Sequence, residues 1–450
     1  MGFTEILYNG NDTVVHFHAG AEDFVIITFM GLYHEEDAED TYFLKPIAEK
    51  LNYTCIGITT KKQNWYVSSE MEEVISICRS MTEGKKVITF GPSMGGYAAI
   101  KYSNRLNADY VLALAPKFSI YHEDCSLPEH YTQYIKEYMK DMAIKPEDTK
   151  GEIYICYDPS EEVDNFQAYE TSRRCKSSVL IPVFYAGHIV IDSLIGVQSI
   201  KTIMECFDFQ DNKKTTEKLT RRINNIRRKN NNNIINKIYR EGRSKPSLIY
   251  NILMSDKFSN KKRSSDVYND LGLMGGVCFE LANRNEIIKA QILINSMNSF
   301  LIRNIFSCSD FLWWSHLDKG VLITTHGSQI YYDPKTRSLC AASLLRTPEG
   351  MMPVGIDYDD GMPCLCAQSN GRIFSLYKEP ESALIHLSVG EKKGNIFFSP
   401  DRNPSFCFLE EGGYLRCWPE NIIDFEAQEV NDWEKIAFIP PLRDNRIRGS

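Results

Sequence analysis

The 450-residue sequence contains no run of about 18 apolar residues, so no membrane-spanning helix is expected. Its opening, Met1-Gly2-Phe3-Thr4-Glu5, has no charged segment leading into an apolar stretch, and no secretory signal is expected. No C-x-x-C framework organises the 13 cysteines, an odd number. Thiols without an export signal point to a reducing, cytoplasmic setting. No Walker loop and no dinucleotide-type G-x-G-x-x-G follows a strand, which argues against nucleotide chemistry. His16 and His18 alternate along one strand face, yet no carboxylate or third ligand stands at a recognisable spacing. They are read as structural, and no metal is expected. Cys364 and Cys366 likewise alternate on a strand and are read as small buried hydrophobes.

What is present describes a folded, modular chain. Hydrophobic residues make up 43%, enough for a sizeable core in each domain, and the length suits two or three domains. The formal net charge of −8 argues against a nucleic-acid partner. That charge is uneven: Lys213 to Lys245 holds twelve Lys/Arg against two acids, a local +10.

Residues 1–205 alternate between apolar runs and helical patterns. The runs are Thr13–His18, Phe24–Phe29, Tyr53–Ile58, Lys86–Phe90, Tyr110–Leu114, Glu152–Cys156 and Val179–Tyr185. Near-continuous apolar strands separated by helices predict an α/β domain with a mostly parallel sheet covered on both faces. Residues 206–309 follow as a basic helical linker and a segment that no pattern places. Within them, Ile223, Ile226, Ile234, Ile235 and Ile238 supply a partial helical stripe. The basic run reads as a solvated connecting helix, with contact to an anionic surface or polymer as the sharper alternative.

Residues 310–442 predict an all-β domain. Val321–Tyr332, Cys364–Tyr377 and Phe406–Trp418 each read as strand, glycine turn, strand, with turn glycines at Gly327, Gly371 and Gly413. Three hairpins at a period of roughly 42 residues suit a β-trefoil; known propellers need four or more blades. Gly412-Gly413-Tyr414-Leu415 and Asp432-Trp433-Glu434-Lys435 also resemble elements of the fascin-like trefoil group.

The chemistry is carried by Gly91-Pro92-Ser93-Met94-Gly95-Gly96-Tyr97, a G-x-S-x-G between the apolar strand Val87–Phe90 and a helical pattern over Tyr97–Tyr102. This strand–turn–helix setting is that of a nucleophile elbow. The turn is tight enough that side chains at Gly91 and Gly95 would clash, and Gly96 permits close helix packing. The following helix directs its N-terminus at developing negative charge. On Phe90–Ala98 (FGPSMGGYA), residues 20–205 resemble the α/β-hydrolase superfamily.

That resemblance implies the chain order nucleophile, acid, histidine. Ser93 is then the nucleophile. His188, after Val183–Gly187, is the general base. Asp158, at the end of the strand Glu152–Tyr157, is the preferred acid, with Asp164 the alternative; Asp158-Pro159-Ser160 also has the look of a turn. The oxyanion donors fall to Met94 and to Met30-Gly31, although the HGGG form of many lipases is missing. Trp65 and Tyr66 lie past a strand on the active-site edge and are candidates for lining the acyl or sugar pocket, with core packing as the alternative.

The expected function is that of a serine-dependent acyl-ester enzyme, first an esterase on an O-acylated carbohydrate. No cofactor is expected. Some bacterial capsule and surface-glycan O-acetyltransferases are similar to α/β-hydrolases, which leaves an acetyl-CoA-dependent transfer as the alternative. A non-catalytic glycan-binding protein is the third possibility. A sugar substrate rests on the trefoil expectation, a fold-level analogy.

Overall fold

The computed structural model describes residues 4–32, 38–255, 258, 264–304, 318–359, 361–369, 371–379, 382, 384–388, 394–399, 405–409 and 412–441. The chain forms two compact units, Met1–Asn236 and Lys237–Ser450.

The first unit is built on one eight-stranded sheet: β1 (Thr4–Asn9), β2 (Thr13–His18), β3 (Phe24–Phe29), β4 (Cys55–Thr60), β5 (Lys86–Pro92), β6 (Tyr110–Leu114), β7 (Glu152–Tyr157) and β8 (Ser178–Pro182). Their spatial order is β1-β2-β4-β3-β5-β6-β7-β8. β2 runs antiparallel to both β1 and β4, and from β4 to β8 every neighbouring pair is parallel.

Helices cover both faces. Successive strand side chains point to opposite sides, so Val25, Ile27 and Phe29 join one core with α2 (Met71–Met81) and α3 (Met94–Lys101). Ile26, Ile88 and Phe90 join the other with α1 (Lys45–Leu51) and α5 (Val197–Met204). β4 and β6 are buried at every position, which explains their largely apolar character. β1 has no such signal because it is a half-exposed edge strand. α4 (Glu162–Arg174) connects β7 to β8.

The expected linker begins as part of this unit. α6 (Asn212–Lys229) buries Leu219 and Ile223 beside Ile200 and Ile203 of α5. Each fully buried aliphatic side chain of this kind stabilises by about 1.5–3 kcal/mol. Tyr154 on β7 and Thr216 on α6 share a hydrogen bond of 3.1 Å. The isoleucine stripe is therefore a docking face; Lys213, Arg221, Arg222, Arg228 and Lys229 lie on the solvated side, while Arg227 is buried. The next helix, α7 (Asn231–Glu241), carries the boundary between the units at residues 236 and 237.

The second unit opens with helices, which the unplaced segment 246–309 did not reveal: α8 (Pro246–Leu253), then Leu271–Asn283 and Ile287–Asn304. Its sheet is all-antiparallel among the described residues and falls into three runs. The first is β9 (Val321–Thr324), β10 (Ser328–Asp333), β11 (Ser338–Ser343) and β12 (Met352–Asp359). The second is β13 (Met362–Ser369), β14 (Arg372–Lys378), β15 (Ile385–Ser388) and β16 (Ile396–Phe398). The third is β17 (Cys407–Leu409), β18 (Tyr414–Cys417), β19 (Ile423–Ala427) and β20 (Ile436–Ile439). The sequence repeats fall on β9–β10, β13–β14 and β17–β18, turning at Gly327, Gly371 and Gly413, all with positive φ. Cys364 and Cys366 are buried on β13.

Candidate active site

Ser93 stands between the end of β5 and the start of α3, with φ 48° and ψ −112°. Such a backbone costs on the order of 1–3 kcal/mol and persists only where the surroundings impose it. Here they do. Ser93 N–H donates to the Leu114 carbonyl at 2.7 Å, and Tyr97, Ala98, Ala99 and Ile100 of α3 are fully buried. A side chain at Gly91 would put its Cβ 2.4 Å from the Gly95 backbone, and one at Gly95 would lie 2.2 Å from the Phe29 carbonyl oxygen. Gly96 has somewhat more room, 3.1 Å from the Gly91 carbonyl.

His188 is brought to the serine by the loop after β8. Its Nε2 lies 3.1 Å from Ser93 Oγ. Its Nδ1 lies 2.8 Å from Asp164 Oδ2 and 3.0 Å from Oδ1. With Nδ1–H donating to the carboxylate, Nε2 is left to accept the serine hydroxyl. The ring is 40% exposed, whereas Asp164 is buried.

The preference for Asp158 is therefore corrected: Asp164 meets the imidazole. Asp158 is buried just past β7, and its oxygens bond Ser160 and Gly187. Oδ1 accepts from Ser160 N–H at 3.1 Å and Ser160 Oγ–H at 2.7 Å, and Oδ2 accepts from Gly187 N–H at 2.9 Å. It ties the strand end to the residue preceding His188. Asp164 instead projects from the first turn of α4, where the helix dipole favours a carboxylate.

Asp164 has a second partner that the sequence did not expose. Lys117, after β6, is fully buried and its Nζ bonds Asp164 Oδ1. Burial acts to raise the Asp164 carboxyl, but the His188 hydrogen bond and the Lys117 charge outweigh it and hold it below its ordinary value. Alongside, Gln167 Oε1 accepts from Phe118 N–H at 2.8 Å, so one face of α4 is fixed to residues 117–119.

The histidine loop is held from outside the sheet as well. Tyr185 and Gly187 have φ of 66° and 69°. Asn233 Nδ2 donates to the Phe184 carbonyl at 2.7 Å, Asn236 Nδ2 to the Tyr185 carbonyl at 3.0 Å, and Asn230 Nδ2 to the Asp192 carbonyl at 2.9 Å. Read in sequence, KNNNN suggests a solvated linker. Spaced three apart, Asn230, Asn233 and Asn236 instead present one row of amides to the loop.

Of the expected oxyanion donors, Met94 opens α3, where an N–H has no carbonyl one turn back to bond. Met30 N–H donates to the Ile58 carbonyl at 3.1 Å and is spent in the sheet, which leaves Gly31, beside Pro92. Trp65 and Tyr66 are fully buried, so neither lines a pocket. Trp65 packs edge-on to Tyr97 at 6.0 Å, and the Tyr66 hydroxyl donates to the Met30 carbonyl at 2.9 Å. They support the elbow helix and the β3 exit from behind. His16 Nε2 lies 2.8 Å from the Ala38 carbonyl and His18 Nδ1 3.0 Å from Thr4 Oγ1, both structural contacts. Among the described residues no His, Cys, Asp and Glu cluster suits a metal ion, and no helix is long and apolar enough to cross a membrane.

No family model and no curated protein matches the chain. Solved structures similar to it include the capsule O-acetyltransferase of Neisseria meningitidis serogroup A, at 15% identity over 44% of this chain and 93% of that one, with a TM-score of 0.34. Another is mouse alpha/beta hydrolase domain-containing protein 10, at 11% identity over 45% and 98%, with a TM-score of 0.32. A third is FphF, a fluorophosphonate-binding serine hydrolase of Staphylococcus aureus, at 13% identity over 40% and 90%, with a TM-score of 0.29.

Proposed function

We propose that the chain is a serine-dependent acyl-ester enzyme in which Ser93 is the nucleophile, His188 the general base and Asp164 the acid that orients it. The continuous hydrogen-bonded line Ser93–His188–Asp164 at the end of a strained elbow carries this reading. His188 Nε2 takes the hydroxyl proton as Ser93 Oγ attacks the ester carbonyl carbon. The carbonyl oxygen becomes an oxyanion, received by the N–H groups of Met94 and Gly31. Collapse breaks the bond to the leaving alkoxide, which takes the proton back from Nε2 and leaves acyl-Ser93. Water then attacks the acyl carbon through the same base, releasing acid and free serine.

The substrate we assign is an O-acylated carbohydrate, because the strand pairings of the all-β second unit support reading it as a β-trefoil, a fold that often binds sugars. β12–β13, β16–β17 and β20–β9 pair, as do β13–β16. Ile356 N–H on β12 donates to the Lys319 carbonyl just before β9, and Ile436 N–H on β20 to the Ser405 carbonyl just before β17. These links suit six barrel strands, with β10–β11, β14–β15 and β18–β19 as three hairpins outside them. The exposed Lys213, Arg221, Arg222, Arg228 and Lys229 of α6 would suit an anionic polymer.

If a sugar hydroxyl replaces water in the second step, the same residues perform an acyl transfer, with acetyl-CoA as co-substrate. Incubation with acetyl-labelled acetyl-CoA and with O-acetylated polysaccharides separates the two. Free acid released from the polysaccharide supports the esterase; label appearing on sugar supports transfer. Neither outcome, together with glycan binding alone, would leave a non-catalytic glycan-binding protein.

A further inference from the structure

Lys117 has no part in the acyl chemistry just described, yet it is a fully buried lysine bonded to the acid of the triad. Taking an ammonium out of water costs several kcal/mol unless a partner compensates it. Asp164 is the ion-pair partner of Lys117, and both side chains are almost wholly withdrawn from solvent. The groups around the pair come from every element packed on it. Asp164 faces His188 from the loop after β8 and Lys117 from the segment after β6. Burial pushes the Lys117 ammonium below its ordinary value, opposed by the charge and hydrogen bond of Asp164 and, more weakly, by Cys125 and Glu161; its Nζ lies 5.7 Å from the centre of the Tyr131 ring. Asp158, the other buried carboxyl beside the histidine loop, bonds Gly187 and Ser160. Without a counter-ion, the charge of Asp164 would act on the base undiminished, which favours a proton on the imidazole. Here Asp164 already has the Lys117 amino group bonded on its other side.

We propose that Lys117 is a counter-ion built into the site: it offsets the charge of Asp164, so that removing it strengthens the pull of that charge on the imidazole the acid orients. Lys117 is thus a positioning residue acting through Asp164. The inference rests on the triad assigned above. It also gives the buried ion pair a role beyond stability, for which such pairs are weak grounds.

The test is the rate at which a fluorophosphonate labels Ser93, followed from pH 5 to 9 in wild type, Lys117→Met and Lys117→Gln. Met removes charge and donor; Gln removes the charge and keeps a donor. The acidic limb is expected to move to higher pH by about one unit in both variants, the scale on which a close opposite charge acts. A limb that stays in place in a folded variant overturns the proposal. If neither variant folds, NMR of 13Cε-labelled lysine in the wild-type chain decides. An ammonium at Lys117 across pH 6–8 supports the counter-ion, and a neutral amine there overturns it. Failure of wild type to label at all would instead refute the triad, so the two outcomes are distinguishable.

Discussion

His188 Nδ1 lies 2.8 Å from Asp164 Oδ2, while Asp158, six residues earlier, spends Oδ2 on the Gly187 N–H. Both aspartates sit near the histidine, and it is Asp164 that hydrogen-bonds its ring. Asp164→Asn should keep the geometry but present the wrong hydrogen-bonding partner, cutting the labelling or turnover rate by about 10³–10⁴-fold. Asp158→Asn should cost about tenfold, through a looser loop. Equal losses in the two variants, measured on folded protein, would contradict the assignment.

Asn233 and Asn236 make a second pair of predictions. Asn233 is buried and holds the Phe184 carbonyl, so Asn233→Ala should destabilise by about 1–3 kcal/mol and slow labelling about tenfold. Asn236→Ala should act in the same direction and more weakly, because its amide is only partly withdrawn from water. Thermal melts and probe kinetics on the same samples check both. An unchanged rate in both variants would show that the loop needs no latch.

At the elbow, Gly95→Ala forces a methyl group to within 2.2 Å of the Phe29 carbonyl, and a backbone atom cannot step aside cheaply. A loss of about 3 kcal/mol or more is expected. Gly31→Ala meets nothing closer than 3.6 Å and should fold normally. Denaturant unfolding of the two variants provides the comparison.

Acid lability follows from Asp164. Its carboxyl is held below the ordinary carboxylate value, so the folded state binds a proton less readily than the unfolded chain. The stability this contributes is fully present above the ordinary value, near pH 4, and is lost as pH falls through the lower folded value. Asp164→Asn lacks that dependence and leaves Lys117 buried without its carboxylate, so it should be less stable than wild type at neutral pH. The difference should narrow only below about pH 4. Unfolding midpoints measured from pH 7 to pH 3 check the sign.

Much of this was legible in the sequence. The β2, β3 and β6 runs are largely apolar because the sheet is covered on both faces, and their boundaries read off directly. The elbow is legible because glycine at 91 and 95 is a steric necessity. What escaped depends on contacts across the chain. Asp158 and Asp164 both follow β7, and choosing between them requires knowing that Asp158-Pro159-Ser160 closes on itself. Lys117 reads as an ordinary lysine until α4 folds over it. The asparagine run resembles a linker until its three-residue spacing meets the carbonyls of the histidine loop. Trp65 and Tyr66 sit on the expected edge of the sheet but turn inward with φ of 54° and 58°.

The most direct measurement is fluorophosphonate labelling with the adduct located by mass spectrometry, on wild type, Ser93→Ala and His188→Ala. A covalent adduct on Ser93 in wild type, none in Ser93→Ala and severely slowed labelling in His188→Ala is the predicted result. An unlabelled wild type, or a Ser93→Ala variant that labels equally, would contradict the assignment of Ser93 as the nucleophile.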